Sequence, residues 1–202
     1  MKNIFIDFDG TIINDKKKQY KAFYKTVNTL NVHNDLDFET FLKLKSNHLS
    51  NYEVLQSVSK TSINKFEFNK IYKTHVEKIQ LLYEDKLFED ALNLLKSIYE
   101  KGYKCYLVTN RQYYFRLLIQ LKYLNINKFF HQVILSSKYK NKFSAINSES
   151  IPLNQNDIFI SDNLQDFEEF DLIKIYLGNE NFKNKKIIKV DSMTQLINLK
   201  LL

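Results

Sequence analysis

Two aspartates stand one residue apart near the beginning of the chain, in the segment NIFIDFDGTI at residues 3–12. Asp7 and Asp9 flank Phe8, so in a regular strand both carboxylates point to the same face. Two carboxylates on one face repel each other unless a cation or a shared proton compensates their charge. Mg²⁺ suits this role because it binds one or two carboxylates together with phosphate oxygens. The spacing therefore predicts a magnesium site at the end of this segment.

A second acidic segment, SDNLQD, follows another apolar run at residues 161–166. If the two segments lie side by side, Asp7 and Asp162 can both bind the metal. Asp166 is then either a further ligand or a residue that orients the ligands. An aspartate that follows a strand can instead cap a helix, and this alternative stays open for Asp162.

The segment VTNR at residues 108–111 offers polar groups after a third apolar run. It contains the hydroxyl of Thr109, the backbone N–H groups around Asn110 and the guanidinium of Arg111. Taken alone, Thr109 is typical of a turn or a helix cap. Beside magnesium, the same hydroxyl could bind a phosphoryl oxygen.

A phosphoryl group also needs a fixed positive charge, because its transfer depends on positioning and charge stabilisation. Three lysines in SSKYKNKFSAI, at residues 136–146, are candidates: Lys138, Lys140 and Lys142. Lys142 is preferred, since it stands just before an apolar helical pattern and can reach back toward the strand ends. Lys140 is the second choice, and a solvated surface lysine is the alternative for each of the three.

The order of elements explains how these segments could meet. After residue 85, helical patterns alternate with the apolar runs YKCYLVTN, QVILSS, DIFISDN, IKIYLG and KIIKVDS. This alternation predicts an α/β fold, a Rossmann-like parallel sheet with helices on both faces. Open sheets of this kind bind ligands at the carboxyl ends of their strands. We therefore expect the polar segments to converge on one site.

Residues 15–85 show a different pattern, with apolar residues at helical spacing and no strands between them. They predict an inserted unit of four helices. The domains are then a catalytic core at 1–14 and 86–202, and a helical unit at 15–85.

The composition of the 202-residue chain is that of a globular protein, with 44% apolar and 26% charged residues. The net charge of +7 comes from lysines scattered through every segment, so nucleic acid is not an expected partner. The single cysteine, Cys105, lies in an apolar run and is interpreted as a buried, inert thiol. The lack of a disulfide or of a long apolar segment predicts a cytoplasmic protein without a membrane partner. The oligomeric state cannot be inferred.

The motifs DFDGT, LVTN, a lysine within KYKNK, and SDNLQD occur in this order over the full length of the chain. In this the sequence resembles hydrolases of the haloacid dehalogenase superfamily, in the phosphatase branch with a small helical (C1-type) cap. The resemblance implies that Asp7 is the nucleophile, forming an aspartyl-phosphate, and that Asp9 is the general acid and base. It implies that Asp7, the Asp9 carbonyl and Asp162 hold Mg²⁺. Thr109, Asn110 and the lysine would bind the transferring group.

The resemblance also implies that the helical unit is a cap, which supplies contacts to the rest of the substrate. Candidates for substrate specificity are Arg111 and four residues of the segment KSNHLSN at residues 45–51, namely Lys45, Asn47, His48 and Asn51. Asp9 favours phosphate-ester hydrolysis, because branches acting on carbon–halogen bonds or phosphonates lack it. The expected substrate is a small phosphorylated metabolite, which the sequence does not identify. A phosphosugar mutase and a non-catalytic regulatory or binding protein are the alternatives.

Overall fold

The structure is a computed structural model that describes residues 2–32, 35–47, 49–59, 61–167, 171–178, 184 and 186–199. The chain divides into two compact units: Met1–Asn14 together with Lys86–Leu202, and Asp15–Asp85. The assignment of the first unit as a catalytic core and of the second as a cap stays a prediction.

The first unit is built on a parallel sheet of six strands in the order β5-β4-β1-β6-β7-β8. In chain order the strands are β1 (Asn3–Ile6), β2 (Ile13–Asn14), β3 (Lys86–Leu87), β4 (Lys104–Thr109), β5 (Gln132–Leu135), β6 (Ile158–Ser161), β7 (Ile173–Leu177) and β8 (Ile187–Val190). The predicted α/β class and Rossmann-like parallel sheet are confirmed. The sequence does not predict β2 and β3, which pair antiparallel as a separate sheet of two residues each, too short to show a period.

The second unit contains five helices in its described residues. They are α1 (Lys16–Thr29), α2 (Phe38–Ser46), α3 (Asn51–Val58), α4 (Lys65–Val76) and α5 (Ile79–Leu82). The count of four predicted helices is corrected by α5, a single turn that no helical period could indicate. Three fully buried aromatic rings form the centre of this unit, with the Phe23 ring 5.3 Å from that of Phe41 and 6.2 Å from that of Phe68.

A buried ion pair lies where the second unit begins and ends. Nζ of Lys18, in the first turn of α1, is 2.8 Å from Oδ2 of Asp85 and 3.9 Å from Oδ2 of Asp15. Lys18 and Asp85 are each only 2% exposed. Because Asp15 and Asp85 are the terminal residues of the inserted segment, Lys18 links its two ends.

The helices of the first unit are α6 (Ala91–Glu100), α7 (Tyr114–Tyr123), α8 (Lys142–Ser148) and α9 (Met193–Asn198), with short 3₁₀ helices at Asn127–Phe129 and Leu164–Phe167. The helical pattern expected between the runs DIFISDN and IKIYLG is thus a 3₁₀ helix over its described residues, and 168–170 lie outside the described residues. Alternate residues of β1 serve two cores: Ile4 and Ile6 lie in the core that includes α6 and α7, and Phe5 lies in the core that includes α8. Cys105 is buried, and its burial raises the pKa of the thiol.

None of the helices in the described part of the chain combines the length and the apolar character needed to cross a membrane.

Candidate active site

The register of the central strands brings the two acidic segments together. β1 lies between β4 and β6, and Ile6 is paired with Ile160. The backbone N–H of Asp7 continues this ladder by donating to the Ile160 carbonyl at 2.9 Å. Asp7 therefore follows β1 at the same edge of the sheet where Asp162 follows β6. Because β1 and β6 are neighbouring parallel strands, Asp7 and Asp162 lie at the same edge of the sheet, as the order of elements predicts.

Gly10 and Thr11 of the DFDGT segment hold the carboxylate of Asp162. Gly10 has φ of +82°, and a Cβ at this position would lie 2.1 Å from Oδ2 of Asp162, so no side chain fits there. The Thr11 hydroxyl donates to Oδ1 of Asp162 at 2.8 Å and accepts from the Asp162 backbone N–H at 3.0 Å. The role of Thr11 as a partner of Asp162 is not evident from the sequence, because the two residues are 151 positions apart.

Lys142 is the lysine that reaches Asp7. It is the first residue of α8, which begins after Asn141, whose side chain caps the helix by accepting from the Ser144 N–H at 2.8 Å. Nζ of Lys142 lies 2.7 Å from Oδ1 of Asp7 and 2.6 Å from Oδ2 of Asp166. The side chain is 4% exposed, whereas Lys138 and Lys140 are exposed. The cap thus fixes the helix start at the position from which the ammonium meets both carboxylates.

Asp166 accepts a hydrogen bond from Ser161 in addition to the one from Lys142. The Ser161 hydroxyl donates to Oδ2 of Asp166 at 2.6 Å and accepts from the Asn163 N–H at 3.1 Å. With Lys142 and Ser161 both on Oδ2, this geometry favours the role of orienting the other groups over that of binding the metal. The prediction that Asp166 is a metal ligand is otherwise untested.

Burial and like charges shift the pKa values of the site. Burial raises the pKa of Asp7 to about 7, with repulsion from Asp162 and Asp166 adding to the rise and Lys142 opposing it. Burial also raises the pKa of Asp162, against the hydrogen bond from Thr11. For Lys142, burial disfavours the ammonium, but the charges and hydrogen bonds of Asp7 and Asp166 outweigh it and raise the pKa.

The donor groups at this edge fit a divalent cation. Three carboxylates, those of Asp7, Asp162 and Asp166, interact with the single ammonium of Lys142, which leaves an excess of two negative charges. Among the described residues, no group of three or more His, Cys, Asp or Glu side chains is arranged to hold a metal by itself. Mg²⁺ needs fewer, because it binds through one or two carboxylates and completes its shell with water and phosphate oxygens. The set that the sequence predicts, Asp7 and Asp162 with the Asp9 carbonyl, is of this size, and its binding of Mg²⁺ stays a prediction.

The Asp9 side chain is bound by a buried arginine. Nε of Arg111 donates to Oδ2 of Asp9 at 2.8 Å, and Nη2 donates to Oδ1 at 2.7 Å. Nη1 donates to Oε1 of Gln120, which is fully buried on α7. Gln120 was not predicted from the sequence. Its signal was a polar residue between Leu117 and Leu121, on the face that an amphipathic helix buries.

Thr109 and Asn110 lie at the end of β4, on the other side of β1. Thr109 is 1% exposed, its carbonyl accepts from the Ser136 N–H at 2.8 Å, and its hydroxyl accepts from the Arg111 N–H at 3.4 Å. Asn110 is exposed, and its Oδ1 accepts from the Ser136 hydroxyl. Both residues therefore follow a strand that neighbours the one carrying Asp7, and their role in binding phosphate stays a prediction.

The predicted specificity residues of the helical unit are not tested by this geometry. Nζ of Lys45, at the end of α2, donates to the Leu49 carbonyl at 2.8 Å. Burial lowers the pKa of Lys45, against the charges of Asp15 and Glu53. Asn51 begins α3, and His48 lies outside the described residues.

The comparisons with known proteins agree with the fold. Residues 4–169 match the family model described as haloacid dehalogenase-like hydrolase. No curated protein matches the chain.

Three solved structures show the extent of the structural likeness. The HAD-hydrolase YfnB from Bacillus subtilis, solved bound to magnesium, has a TM-score of 0.68 at 14% identity, over 98% of this chain and 99% of that one. A protein from Clostridium acetobutylicum described as a predicted phosphatase has a TM-score of 0.66 at 15% identity, covering 97% and 96%. CbbY from Rhodobacter sphaeroides, in complex with phosphate, has a TM-score of 0.68 at 14% identity, covering 97% and 96%.

Proposed function

The chain belongs to the haloacid dehalogenase-like hydrolase family, and on that premise we propose that it is a Mg²⁺-dependent phosphatase of a small phosphorylated metabolite. The observation that carries the proposal is that Asp7, Lys142 and Asp162 lie at one edge of the sheet. Oδ1 of Asp7, the candidate nucleophile, is 2.7 Å from the buried Nζ of Lys142. Asp9, two residues on, has 30% of its side chain exposed and is available for proton transfer.

In the first step, a carboxylate oxygen of Asp7 attacks the phosphorus and forms an aspartyl-phosphate, while the ester P–O bond breaks. Asp9 gives its proton to the leaving oxygen, which departs as an alcohol. Lys142 and the Thr109 hydroxyl bind the oxygens of the transferring group, where negative charge must be stabilised.

In the second step, water attacks the phosphorus of the aspartyl-phosphate. Asp9, now ionised, takes a proton from this water, so the same residue is acid and then base. The acyl-phosphate bond breaks, inorganic phosphate leaves and Asp7 is regenerated. The protons and charges balance, because the proton given to the alcohol is replaced by one from water.

Magnesium, when bound, would neutralise the negative charge on Asp7 and on the phosphoryl oxygens, which otherwise repel each other. Asp7, Asp162 and the Asp9 carbonyl would hold it, and Asp166 would keep Lys142 in place. The magnesium-bound YfnB and the phosphate-bound CbbY support this assignment by fold. The second unit would act as the cap, with Lys45, His48 and Asn51 near the non-phosphate part of the substrate.

The test is release of phosphate from p-nitrophenyl phosphate and from a panel of phosphorylated metabolites by the purified protein, with and without Mg²⁺. We expect magnesium-dependent turnover that Asp7→Asn lowers by at least about 10³-fold. Asp171→Asn, at an exposed position, is the matched control and should leave turnover unchanged. Wild-type protein mixed rapidly with substrate and quenched in acid should carry one phosphate per chain, labile to alkali.

A folded wild-type protein that hydrolyses none of these esters would overturn the enzymatic proposal and favour a binding or regulatory role. Return of the phosphate to another hydroxyl of the same sugar, without release, would instead assign a mutase.

A further inference from the structure

We propose that Arg111, held in place by Gln120, is a positioning residue that fixes the Asp9 carboxylate for proton transfer. The inference rests on the proposed function, in which Asp9 is the acid and the base. It assigns a role to a residue, Gln120, that belongs to none of the four motifs.

The contact between Arg111 and Asp9 is bidentate. Both carboxylate oxygens accept from the same planar guanidinium, at 2.8 Å from Nε and at 2.7 Å from Nη2. Two parallel bonds of this kind fix the plane of a carboxylate, whereas a single bond would leave it free to rotate. The orientation of Asp9 is therefore set by Arg111.

The guanidinium is itself fixed on its other sides. Nη1 donates to Oε1 of the fully buried Gln120, and Cζ lies 5.0 Å from the centre of the Phe8 ring. A buried cation needs acceptors for its donors, and Gln120 supplies one of them. The chain of contacts thus runs from the packed face of α7 through Arg111 to Asp9.

Exposure separates the two members of the pair. The Asp9 side chain is 30% exposed, while that of Arg111 is 5% exposed. The carboxylate, and not the guanidinium, is presented to an incoming substrate. A carboxylate has about four lone-pair sites, of which these two bonds use two, so one oxygen of Asp9 can still carry the proton that it donates to the leaving oxygen and later accept a proton from water. This geometry favours a positioning role for Arg111 over the substrate contact predicted from the sequence.

The first experiment compares the only two arginines of the chain as lysine variants, Arg111→Lys and Arg116→Lys. Lysine keeps the charge but cannot make the bidentate contact. For an alkyl phosphate, we expect Arg111→Lys to lower kcat by about 10²-fold with KM within about threefold. For p-nitrophenyl phosphate, whose leaving group needs little protonation, the loss in kcat/KM should be about tenfold smaller. Arg116→Lys should match the wild type on both substrates.

The second experiment is a double-mutant cycle with Asp9. If Arg111 acts through Asp9, Arg111→Lys should change kcat by less than about twofold in the Asp9→Asn background, because the group to be positioned is gone. The same fold-loss in both backgrounds would overturn the proposal. So would an increase in KM at unchanged kcat, which is the mark of a direct substrate contact.

The third experiment tests Gln120 and decides the matter if Arg111→Lys does not fold. Gln120→Met removes the acceptor at similar volume and should lower kcat for the alkyl phosphate by about tenfold, whereas Gln120→Glu keeps an acceptor and should restore it to within about threefold. Equal kcat for both variants would overturn the role of Gln120. Failure of the proposed function is distinguishable, since the wild-type protein would then hydrolyse no ester, or Asp7→Asn would leave the turnover unchanged.

Discussion

Two buried lysines, one in each unit of the chain, differ in what surrounds them. Lys18 and Lys142 each stand in the first turn of a helix, are at most 4% exposed, and lie between two carboxylates. Lys18 joins Asp15 to Asp85 at the two ends of the inserted segment. Lys142 joins Asp7 to Asp166 at the carboxyl edge of the parallel sheet.

The difference lies in the balance of charge and in the location. Lys142 shares its surroundings with a third carboxylate, Asp162, and the pKa of Asp7 stands at about 7 because burial and these like charges outweigh the ammonium. Sites that leave negative charge uncompensated at a sheet edge are suited to bind a cation and phosphate. A buried, paired lysine is thus not in itself a functional signal, and the comparison can be tested by substitution.

The largest expected effect is on stability, and it has opposite signs at the two clusters. Asp85→Asn leaves the buried ammonium of Lys18 with weaker pairing and should lower the free energy of unfolding by about 3–5 kcal/mol. Asp7 has a folded-state pKa above its ordinary value of 3.8, so its ionised form opposes folding increasingly as pH rises from about 4 to about 7. Without Mg²⁺ at pH 8, Asp7→Asn should therefore raise the free energy of unfolding by about 1 kcal/mol. Urea denaturation measures the free energy of unfolding of both variants. A loss of similar size in Asp85→Asn and Asp7→Asn would contradict the difference between the two clusters.

The next largest expected effect is on kcat, which should fall when Lys142 is replaced and stay nearly constant when Lys18 is replaced. Lys142→Met removes the cation that is proposed to bind the transferring group and should lower kcat by about 10²–10³-fold. Lys18→Met, assayed below its unfolding temperature, should keep kcat within about threefold, because its partners lie outside the strand-end site. Steady-state kinetics on one phosphate ester decides this, and comparable loss in both variants would mean that the Lys18 cluster takes part in turnover.

Two glycines with positive φ test the proposed metal site. Gly10 (φ +82°) lies against Asp162, whereas at Gly102 (φ +70°) a Cβ would meet nothing within 4 Å. Alanine strains the backbone at both positions, by about 1–2 kcal/mol. Only Gly10→Ala should also displace Asp162, with a loss of Mg²⁺ affinity of about tenfold or more. Isothermal titration with Mg²⁺ measures the affinity, and unchanged binding in Gly10→Ala would remove Asp162 from the ligand set.

The smallest effect is the pH dependence of magnesium binding. Since the metal requires the ionised form of Asp7, whose pKa is about 7, the affinity should rise by about tenfold per pH unit below that value and level off above it. Lys18→Met should show the same profile as the wild type. A flat profile between pH 5.5 and pH 8 would show that Asp7 is not a ligand.

Much of the fold and part of the site could be predicted from local patterns. The alternation of periods predicts the six strands of the parallel sheet, and the order of the elements predicts that Asp7 and Asp162 meet at the carboxyl ends of these strands. Very short elements could not be predicted from such patterns, since β2, β3 and α5 contain too few residues to show a period. Gln120 could not be predicted because its role depends on its contact with Arg111. That contact forms only when α7 packs its buried face against the loop that follows β4.

By itself, the sequence determined which chemical groups are available at the strand ends and in which order they occur, because these follow from residue type and from the period of each element. Only the tertiary structure decided which of three lysines meets Asp7, that Arg111 binds Asp9, and that Ser161 and Thr11 hold Asp166 and Asp162. Those contacts depend on strand register, on the capped start of α8 and on the packing of α7, each of which is set by burial across distant parts of the chain.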